Sequence, residues 1–342
     1  MTPALEPFSP CPAPELQVID ADPVIEEHRD ALYLPFDGSD SAHDHPGWGL
    51  YDRDFRLIRA AAYCRFPART LVGQGETASV PAGAIEDAPQ AHYVHAGPLI
   101  LHYGHFLLAT LSRLWPGFGP GRRFVWFSNS GPRAPFVAAC LAGLGLGLDQ
   151  FRHFTRPTRI RRLTVVAPAF EEGHFAHHVY RRMCLGIGER LAPVPAGSGP
   201  PVYLTRTGLP GGVKRVANEA AVCAALAALG VEIVEPERLS LAQQIALFGS
   251  DRVIMGTAGS AFHTAIFVPP RARLIAIELH NSDNQILLNR LGAARMLHLR
   301  PVTALYPAMA SSGPFKGVYT FPDPAAVARD LLRAAQSVSA AA

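Results

Sequence analysis

The chain has 342 residues, a formal net charge of +3, and 49% hydrophobic against 17% charged residues. This composition is typical of a globular protein with ample core material, and it excludes a disordered or fibrous chain. The length exceeds that of one ordinary domain, so we expect two compact α/β units that face a cleft.

The amino terminus and the cysteines indicate where the protein works. Residues 1–15 have neither a basic start nor a continuous apolar segment, so they do not resemble a secretory signal. The most apolar later run, 136–148, is shorter than the roughly 20 residues of a membrane helix. Five scattered cysteines lack the close pairs of zinc sites or disulfide frameworks. We therefore expect a cytoplasmic protein with reduced thiols.

The elements of the first half are the less regular ones. Residues 1–30 show no clear periodicity and are predicted to form an extended arm without elements. Residues 31–190 are predicted to form an α/β domain, with helices at 104–115 and near 134–146 and strands at 124–127 and 163–167. Pro, Gly and Ser collect at 191–201, which predicts a linker.

The second half alternates strands and helices with little ambiguity. The pattern predicts strands at 202–205, 231–234, 252–255 and 273–279, and helices at 218–229, 241–248 and 260–267. Asn218 and Ser240 are predicted N-caps, and Gly230 a left-handed C-cap. Such alternation implies a parallel sheet covered on both faces, so 202–330 is predicted to be a Rossmann-like domain, followed by a tail at 331–342.

A glycine turn lies between the strand at 252–255 and the helix that follows it. Gly256, Thr257, Gly259 and Ser260 would stand where the sheet's carboxyl edge meets free helix-end amides, and glycine lets a phosphate approach the backbone closely. The turn is therefore a candidate seat for a pyrophosphate. Packing alone also requires such turns in many α/β proteins.

Basic residues follow the first strand of the same half. Arg206 leaves the strand end, and Lys214 and Arg215 precede the next helix. Cations at this edge would neutralise a diphosphate and stabilise it as a leaving group. The alternative is a loop of solvated basic residues, with Asn218 and Glu219 serving as cap and first-turn residues.

Several segments together resemble glycosyltransferase family 61. They are TRTG with KRVANE, VEIVEPERLSLAQQIALF, DRVIMGTAGSAFHTAIFVPP and LIAIEL, in that order over 202–279, and HYGHFLLATLSRLW further upstream. The resemblance covers about 105–115 and 202–279. It implies an inverting transferase that moves a sugar from UDP to a hydroxyl of a glycan or lipid-linked glycan, in a GT-B-like pair of Rossmann-like lobes. A bacterial capsular or polysaccharide setting and no obligatory metal are also implied.

This sequence matches the family's pattern at most functional positions and departs from the pattern at three. The matching residues are His105, Arg113, Arg206, Arg215, Asn218, Glu219, Gln244, Gly259 and Glu278. Ala258 stands in place of a common His, Thr264 in place of an Asn, and Ala109 in place of an acidic residue. These departures motivate the alternative of a non-catalytic nucleotide- or glycan-binding subunit of a polysaccharide assembly complex.

Inversion requires a base for the acceptor hydroxyl, and it should come from the other lobe. His105 fits this role, because an imidazole accepts a proton near neutral pH. A helix-packing histidine is the alternative, and Asp44, His45 and Asp52 are reserves. Glu278 is predicted to hydrogen-bond the ribose or uracil.

Three further patterns are given no catalytic role. Asp52-Arg53-Asp54 has metal-binding spacing but lies in the wrong half, and His174, His177 and His178 lack a third metal partner. The arginine-rich stretch 152–162 suits a solvated loop edge, an anionic acceptor or a peripheral membrane contact. No nucleic-acid motif accompanies it, and no dinucleotide fingerprint supports an oxidoreductase.

Overall fold

The computed structural model describes most of the chain and divides it into two compact units. The described residues are 3–11, 15–36, 47–65, 70–81, 83–119, 121–128, 131–194, 197–279, 282–303, 305 and 315–340. One unit comprises Met1–Pro12 with Gly188–Ala342, and the other Ala13–Ile187. Asp44 and His45, the reserve bases, lie outside the described residues.

A six-stranded sheet is the centre of the C-terminal unit. Its strands, in spatial order, are Leu5–Pro7, Arg295–Pro301, Arg273–Ile277, Val253–Thr257, Val202–Leu204 and Glu232–Val234. All neighbours are parallel except Leu5–Pro7, which pairs antiparallel with Arg295–Pro301. The middle strands Val253–Thr257 and Arg273–Ile277 are almost entirely apolar, as expected of strands covered on both faces.

Helices supply the cover of this sheet. The α-helices are Glu219–Ala228, Leu241–Phe248, Asp283–Arg290 and Pro324–Ala340, and shorter 3₁₀ segments occupy Pro236–Arg238 and Ser260–Phe267. A second small sheet pairs Gly212–Val216 in parallel with Phe315–Tyr319. One apolar core joins the sheet to the helices, with Val222, Met255, Ile275 and Leu331 among its buried side chains.

The predicted elements of 202–279 are all present, with ends shifted by no more than two residues. Ser240 caps its helix, since its hydroxyl accepts the backbone N–H of Gln243 at 3.3 Å and the Gln243 amide oxygen accepts the N–H of Ser240 at 2.9 Å. Gly230 adopts φ +81°, as the predicted C-cap requires. Asn218 precedes its helix but makes no side-chain cap there, because its amide pairs with the backbone of Phe321 at 2.8 and 3.1 Å.

The two chain ends differ from the sequence prediction. Residues 1–30 contain strands at Leu5–Pro7, Gln17–Ile19 and the start of Ile25–Leu34, where an arm without elements was expected. Residues 331–340 belong to the helix Pro324–Ala340 rather than to a tail. The reason is tertiary: short segments without a periodic apolar pattern become strands when a partner strand supplies the hydrogen bonds.

The N-terminal unit contains a mixed sheet. Its order is Phe151–Arg152, Phe124–Phe127, His92–Pro98, Thr158–Val166, Ile25–Leu34 and Gly49–Tyr51, with Glu86–Asp87 added to Thr158–Val166. The first four strands run parallel to one another. Ile25–Leu34 pairs antiparallel with Thr158–Val166, and Gly49–Tyr51 pairs antiparallel with Ile25–Leu34. Smaller sheets join Phe170–Glu171 with Phe175–His177 and Gln17–Ile19, and Cys64–Arg65 with Thr70–Leu71. The chain is therefore a mixed α/β protein.

The helices of this unit are few. A continuous helical stretch begins as Tyr103–His105, passes through a π-helical turn at Phe106–Thr110, and ends as a 3₁₀ turn at Leu111–Arg113, where 104–115 was predicted. The other helices are Pro135–Gly143 and His178–Leu191, with 3₁₀ turns at Arg59–Ala61 and Leu148–Gln150. The units divide at residue 188, inside His178–Leu191 and ahead of the predicted linker at 191–201. Among the described helices, none has the length and apolar character that a bilayer crossing requires.

Candidate functional site

Three neighbouring parallel strands of the C-terminal unit end at one edge of the sheet, and each is followed by a predicted site residue. Arg206 comes two positions after Val202–Leu204, Gly259 two positions after Val253–Thr257, and Glu278 directly after Arg273–Ile277. Ligands of parallel α/β sheets collect outside the carboxyl ends of the strands. The topology therefore brings together residues that are more than 70 positions apart in sequence.

The guanidinium group of Arg206 lies against Gly259. A Cβ atom added to Gly259 would be 3.4 Å from Nη1 of Arg206 and 3.5 Å from its Cζ. The φ angle of Gly259 is 172°, an extended value that any residue adopts, and a Cβ at 3.4 Å would make an ordinary van der Waals contact with the arginine. Gly256 is the tighter position, because a Cβ atom there would be 3.0 Å from the carbonyl oxygen of Leu204. Ser260 begins the 3₁₀ helix, whose first amides have no partner within the helix.

Glu219 holds the strand end that carries Arg206. Its Oε1 accepts the hydroxyl of Tyr203 at 3.1 Å, and its Oε2 accepts the backbone N–H of Arg206 at 3.2 Å. Burial raises the pKa of Glu219, although both hydrogen bonds oppose that shift. Burial likewise lowers the pKa of Arg206, against the attraction of Glu219. Glu219 is therefore more than a first-turn residue, since it fixes the backbone from which the guanidinium extends.

Lys214 contributes a second buried cation. Its side chain is 8% exposed, and among the described residues its Nζ has no hydrogen-bond partner. Burial lowers its pKa to about 8, with Glu278 opposing and Arg206 adding to the effect. A narrow indentation is lined by Arg206, Lys214, Arg215, Val216, Glu219, Thr257 and Leu279. A buried amine without a partner costs roughly 1–3 kcal/mol, so it indicates a place for a ligand anion.

Glu278 lines a wider cavity beside this indentation. Its Oε1 accepts the Nδ1–H of His298 at 2.7 Å, while its Oε2 is buried and has no partner among the described residues. Leu279 lines both spaces, and Glu278, Glu6 and Arg300 line the wider one, which measures about 340 Å³. One carboxylate oxygen is therefore fixed and the other is left to accept a hydroxyl or an N–H.

His105 belongs to a polar cluster of the N-terminal unit. Its Nδ1 lies 3.0 and 3.1 Å from the carboxylate oxygens of Glu172, and its Nε2 lies 3.3 Å from Nη2 of Arg65. The Tyr63 hydroxyl donates to Glu172 at 3.2 Å. Burial alone would raise the pKa of Glu172, but His105 and Arg65 lower it below its usual range. Glu172 was not anticipated from sequence, because nothing local marks a residue 67 positions from His105.

Arg113, which matches the family pattern, has a structural role. It is 2% exposed, and its guanidinium donates to the carbonyls of Ala60, Ala62 and Val166 at 2.6 to 2.8 Å. Gly97, at φ +79°, gives it room, since a Cβ there would be 2.9 Å from the arginine's Cδ. Arg113 therefore ties its own helical stretch to the segment of Ala60 and Ala62 and to the end of Thr158–Val166.

The patterns set aside from sequence form local structure. Asp52 accepts the backbone amides of Asp54 and Arg56, both at 2.9 Å, and so forms a turn. His174 pairs with Glu171 at 2.9 Å, and His178 with Asp20 at 3.4 Å. Within the described ranges no group of three or more His, Cys, Asp or Glu could hold a metal ion.

An arginine and a glycine at the carboxyl edge of a parallel sheet are typical of proteins that bind a phosphorylated ligand. The family model described as Glycosyltransferase 61 matches residues 103–275, just over half of the 342 residues. The chain belongs to glycosyltransferase family 61 and is thus a glycosyltransferase. The match includes His105, Arg206 and Gly259 and ends three residues before Glu278. No curated protein matches the chain.

Proposed function

We propose that this glycosyltransferase moves a sugar, with inversion, from a UDP-sugar donor to a hydroxyl of a glycan or lipid-linked glycan acceptor. The donor binds the C-terminal unit, and the proposal includes a GT-B-like arrangement of two Rossmann-like lobes. His105 is the proposed base that takes the proton of the acceptor hydroxyl as the sugar carbon is attacked from the face opposite the nucleotide.

The main support is the contact of the Arg206 guanidinium with Gly259 at the sheet's carboxyl edge. A diphosphate placed there would be neutralised by Arg206, Lys214 and Arg215 and would face the amides of Gly259 and Ser260. Because the indentation is narrow, the diphosphate would displace the side chain of Arg206 or Lys214 on entry. The partnerless Nζ of Lys214 would gain an anion at the same time.

The nucleoside is proposed to occupy the cavity beside Glu278. The free Oε2 of Glu278 suits a ribose hydroxyl or the uracil N–H, because an ionised carboxylate only accepts hydrogen bonds. Leu279 lines both this cavity and the diphosphate indentation, so the two spaces are adjacent. The nucleoside and the diphosphate of UDP are adjacent in the same way.

The acceptor is proposed to carry anionic groups that meet exposed arginines. The exposed arginines of the N-terminal unit include Arg159 and Arg161, while Arg156 and Arg162 pair with Glu86 and Glu27 at 2.7 and 3.0 Å. Arg159 and Arg161, which form no ion pair with the part of the chain that the structure describes, support an acceptor or lipid surface with anionic groups, as expected for a bacterial polysaccharide enzyme at the membrane's inner face.

Binding of UDP to the Arg206→Ala variant tests the donor site. Calorimetry should show UDP binding to the wild-type protein and a loss of at least about tenfold in the variant, because charge-assisted hydrogen bonds contribute about 1.5–3 kcal/mol. Arg273→Ala is the matched control: Arg273 begins the strand that Glu278 follows, and so lies at the opposite edge. If folded wild-type protein binds neither UDP nor any of a panel of UDP-sugars, the proposal fails.

The second candidate is a subunit that binds nucleotide or glycan without turnover. It is favoured by Ala258, Thr264 and Ala109, which are buried and carry no acid or base where the family often has polar residues. It predicts UDP affinity but no UDP release from any donor. A transferase rate that disappears in Arg206→Ala would exclude it.

A further inference from the structure

The environment of His105 defines which ring nitrogen carries the proton. Nδ1 lies 3.0 and 3.1 Å from the two oxygens of Glu172, whose side chain is 8% exposed. An ionised carboxylate accepts hydrogen bonds and donates none, so Nδ1 must carry a hydrogen. The hydroxyl of Tyr63 donates to the same carboxylate and keeps it oriented toward the ring.

Arg65 provides an independent observation about the other nitrogen. Its Nη2 lies 3.3 Å from Nε2 of His105, and a guanidinium only donates hydrogen bonds. The contact is therefore favourable only when Nε2 has its lone pair available. A protonated ring would turn an N–H toward the cation, which is repulsive. Glu172 thus selects hydrogen on Nδ1, and Arg65 selects the lone pair on Nε2.

We propose that Glu172 and Arg65 are positioning residues of the transfer reaction, which hold His105 with Nδ1 protonated and Nε2 ready to accept a proton. The proposal rests on the proposed function, because it assigns His105 the role of base. Glu172 fixes the ring, and Arg65 occupies the place that the acceptor hydroxyl takes when it binds Nε2. Arg65 is exposed, so it has room to move aside.

The resulting step balances in protons and electron pairs. The acceptor O–H bond breaks and its proton moves to Nε2, while the acceptor oxygen bonds to the anomeric carbon. The bond between that carbon and the phosphate oxygen breaks with its electron pair, and UDP leaves. The imidazolium formed is stabilised by the Glu172 carboxylate at Nδ1, as in other carboxylate–histidine pairs.

The two neighbours of the ring act on the position of its hydrogen, which gives the test its direction. Glu172 accepts a hydrogen bond at Nδ1 and Arg65 donates one at Nε2; Tyr63 faces the carboxylate, and His102 lies with its ring centre 4.9 Å from that of His105. The variant Glu172→Gln replaces the carboxylate by an amide that can donate as well as accept, and Arg65→Gln removes a group that only donates, so each should increase the share of rings with hydrogen on Nε2. A purely structural role of the two residues predicts an unchanged ring form in a folded variant.

Nitrogen NMR of protein labelled at histidine tests this without needing an acceptor. The His105 signals are assigned by their loss in His105→Gln, and the wild-type ring should show the Nδ1–H form near neutral pH. Glu172→Gln and Arg65→Gln should each increase the share of the Nε2–H form at the same pH. Glu171→Gln is the matched control, because the neighbouring Glu171 pairs with His174 instead. An Nε2–H form in the wild type, or an unchanged ring form in both variants, would overturn the proposal.

The rate of UDP release from a donor, with water or a glycan as acceptor, then separates the two proposals. The rate of His105→Gln should be lower by a factor of about 10²–10⁴ while UDP binding is retained, and the rate of Glu172→Gln should be lower by at least about tenfold. If UDP binds and His105→Gln keeps the full rate, the role of His105 fails while the donor site stands. If His105→Gln is inactive and Glu172→Gln keeps the full rate, only the positioning role fails.

Discussion

Arg206 is placed by chemistry that involves no ligand. Glu219 accepts the hydrogen of its backbone N–H, and its guanidinium lies against the backbone of Gly259. The sequence supports the choice of Arg206 and Gly259 as site residues, because strand ends and glycine turns are readable locally. It does not show that their side chains meet. That contact depends on which strands are neighbours in the sheet.

The substitution Gly259→Val tests the contact at this scale. The new side chain would occupy the space against Nη1 and Cζ of Arg206, where even a Cβ reaches 3.4 Å, so we expect the guanidinium to be displaced and UDP affinity to fall about tenfold or more. Gly259→Ala should have a smaller effect. Calorimetry measures both, and Gly197→Ala, where an added Cβ meets nothing within 4 Å, is the control. Unchanged affinity in Gly259→Val would contradict the arrangement.

Lys214 should make nucleotide binding depend on pH. Its pKa is about 8 in the protein without ligand, and a bound diphosphate favours the protonated amine and raises that pKa. The affinity for UDP is therefore highest below pH 8 and falls as the pH rises past 8. Between pH 7 and pH 9 we expect it to fall about tenfold, where a tenfold change corresponds to about 1.36 kcal/mol.

The same pH series on two variants identifies the responsible group. Lys214→Gln should bind UDP weakly at every pH, and Lys214→Arg should bind with a flat profile, because arginine stays protonated throughout. Calorimetry in buffers matched for ionic strength gives the profiles. A slope that survives in Lys214→Arg would assign the pH dependence to another group.

At the scale of elements, local sequence and local structure agree at the helix boundaries marked by Ser240 and Gly230, but not at Asn218, whose amide pairs with Phe321 instead. Ser240 and Gln243 form a reciprocal cap, and Gly230 ends the preceding helix with a positive φ. Ser260–Phe267 shows the limit: the apolar run predicts a helix, but the hydrogen bonding is 3₁₀ and not α-helical. Helix type there depends on how the short segment packs between strands, which its composition does not encode.

The cap at Ser240 is a measurable element-scale feature. Ser240→Ala should lower the free energy of unfolding by about 1 kcal/mol, because an amide at the start of Leu241–Phe248 loses its acceptor. Denaturant unfolding followed by circular dichroism gives the change. Ser337→Ala is the control, since the Ser337 hydroxyl bonds to the carbonyl of Arg333 within its helix and caps nothing. Equal stability of the two variants would show that the cap is not needed.

At the scale of the whole molecule, the chain ends belong to the same core. Asp330 accepts the backbone amides of Ala4 and Leu5 at 2.7 and 3.0 Å, across more than 320 residues. Leu331 follows it and is completely buried. Contacts of this kind explain why an extended arm and a tail were expected: nothing in either segment alone shows that the other will cover it.

The contact of Asp330 with the first strand predicts that stability and hydrogen exchange at that strand change together. Asp330→Ala should lower the stability of the C-terminal unit by about 1–3 kcal/mol and increase hydrogen exchange at Ala4 and Leu5, because two amides lose a buried carboxylate. Hydrogen exchange resolved by peptide reports both effects. Glu6 lies on the same strand as Leu5 and forms an exposed ion pair with Arg300 of the neighbouring strand. Removing that pair in Glu6→Gln should change stability and exchange little. Exchange that is unaltered at residues 4 and 5 would contradict the pairing.

The strands and helices of 202–279, the caps at Ser240 and Gly230 and the family resemblance could be read from sequence, because each depends on residues within a few positions of one another. The predicted cap at Asn218 does not form, because its amide pairs with the distant Phe321. The pairing of Glu172 with His105, the nearness of Lys214 to Glu278, and the enclosure of Arg113 by three carbonyls emerged only from the folded chain. Such contacts join residues 50 or more positions apart. They depend on strand order and side-chain packing, and no local pattern of residues encodes either.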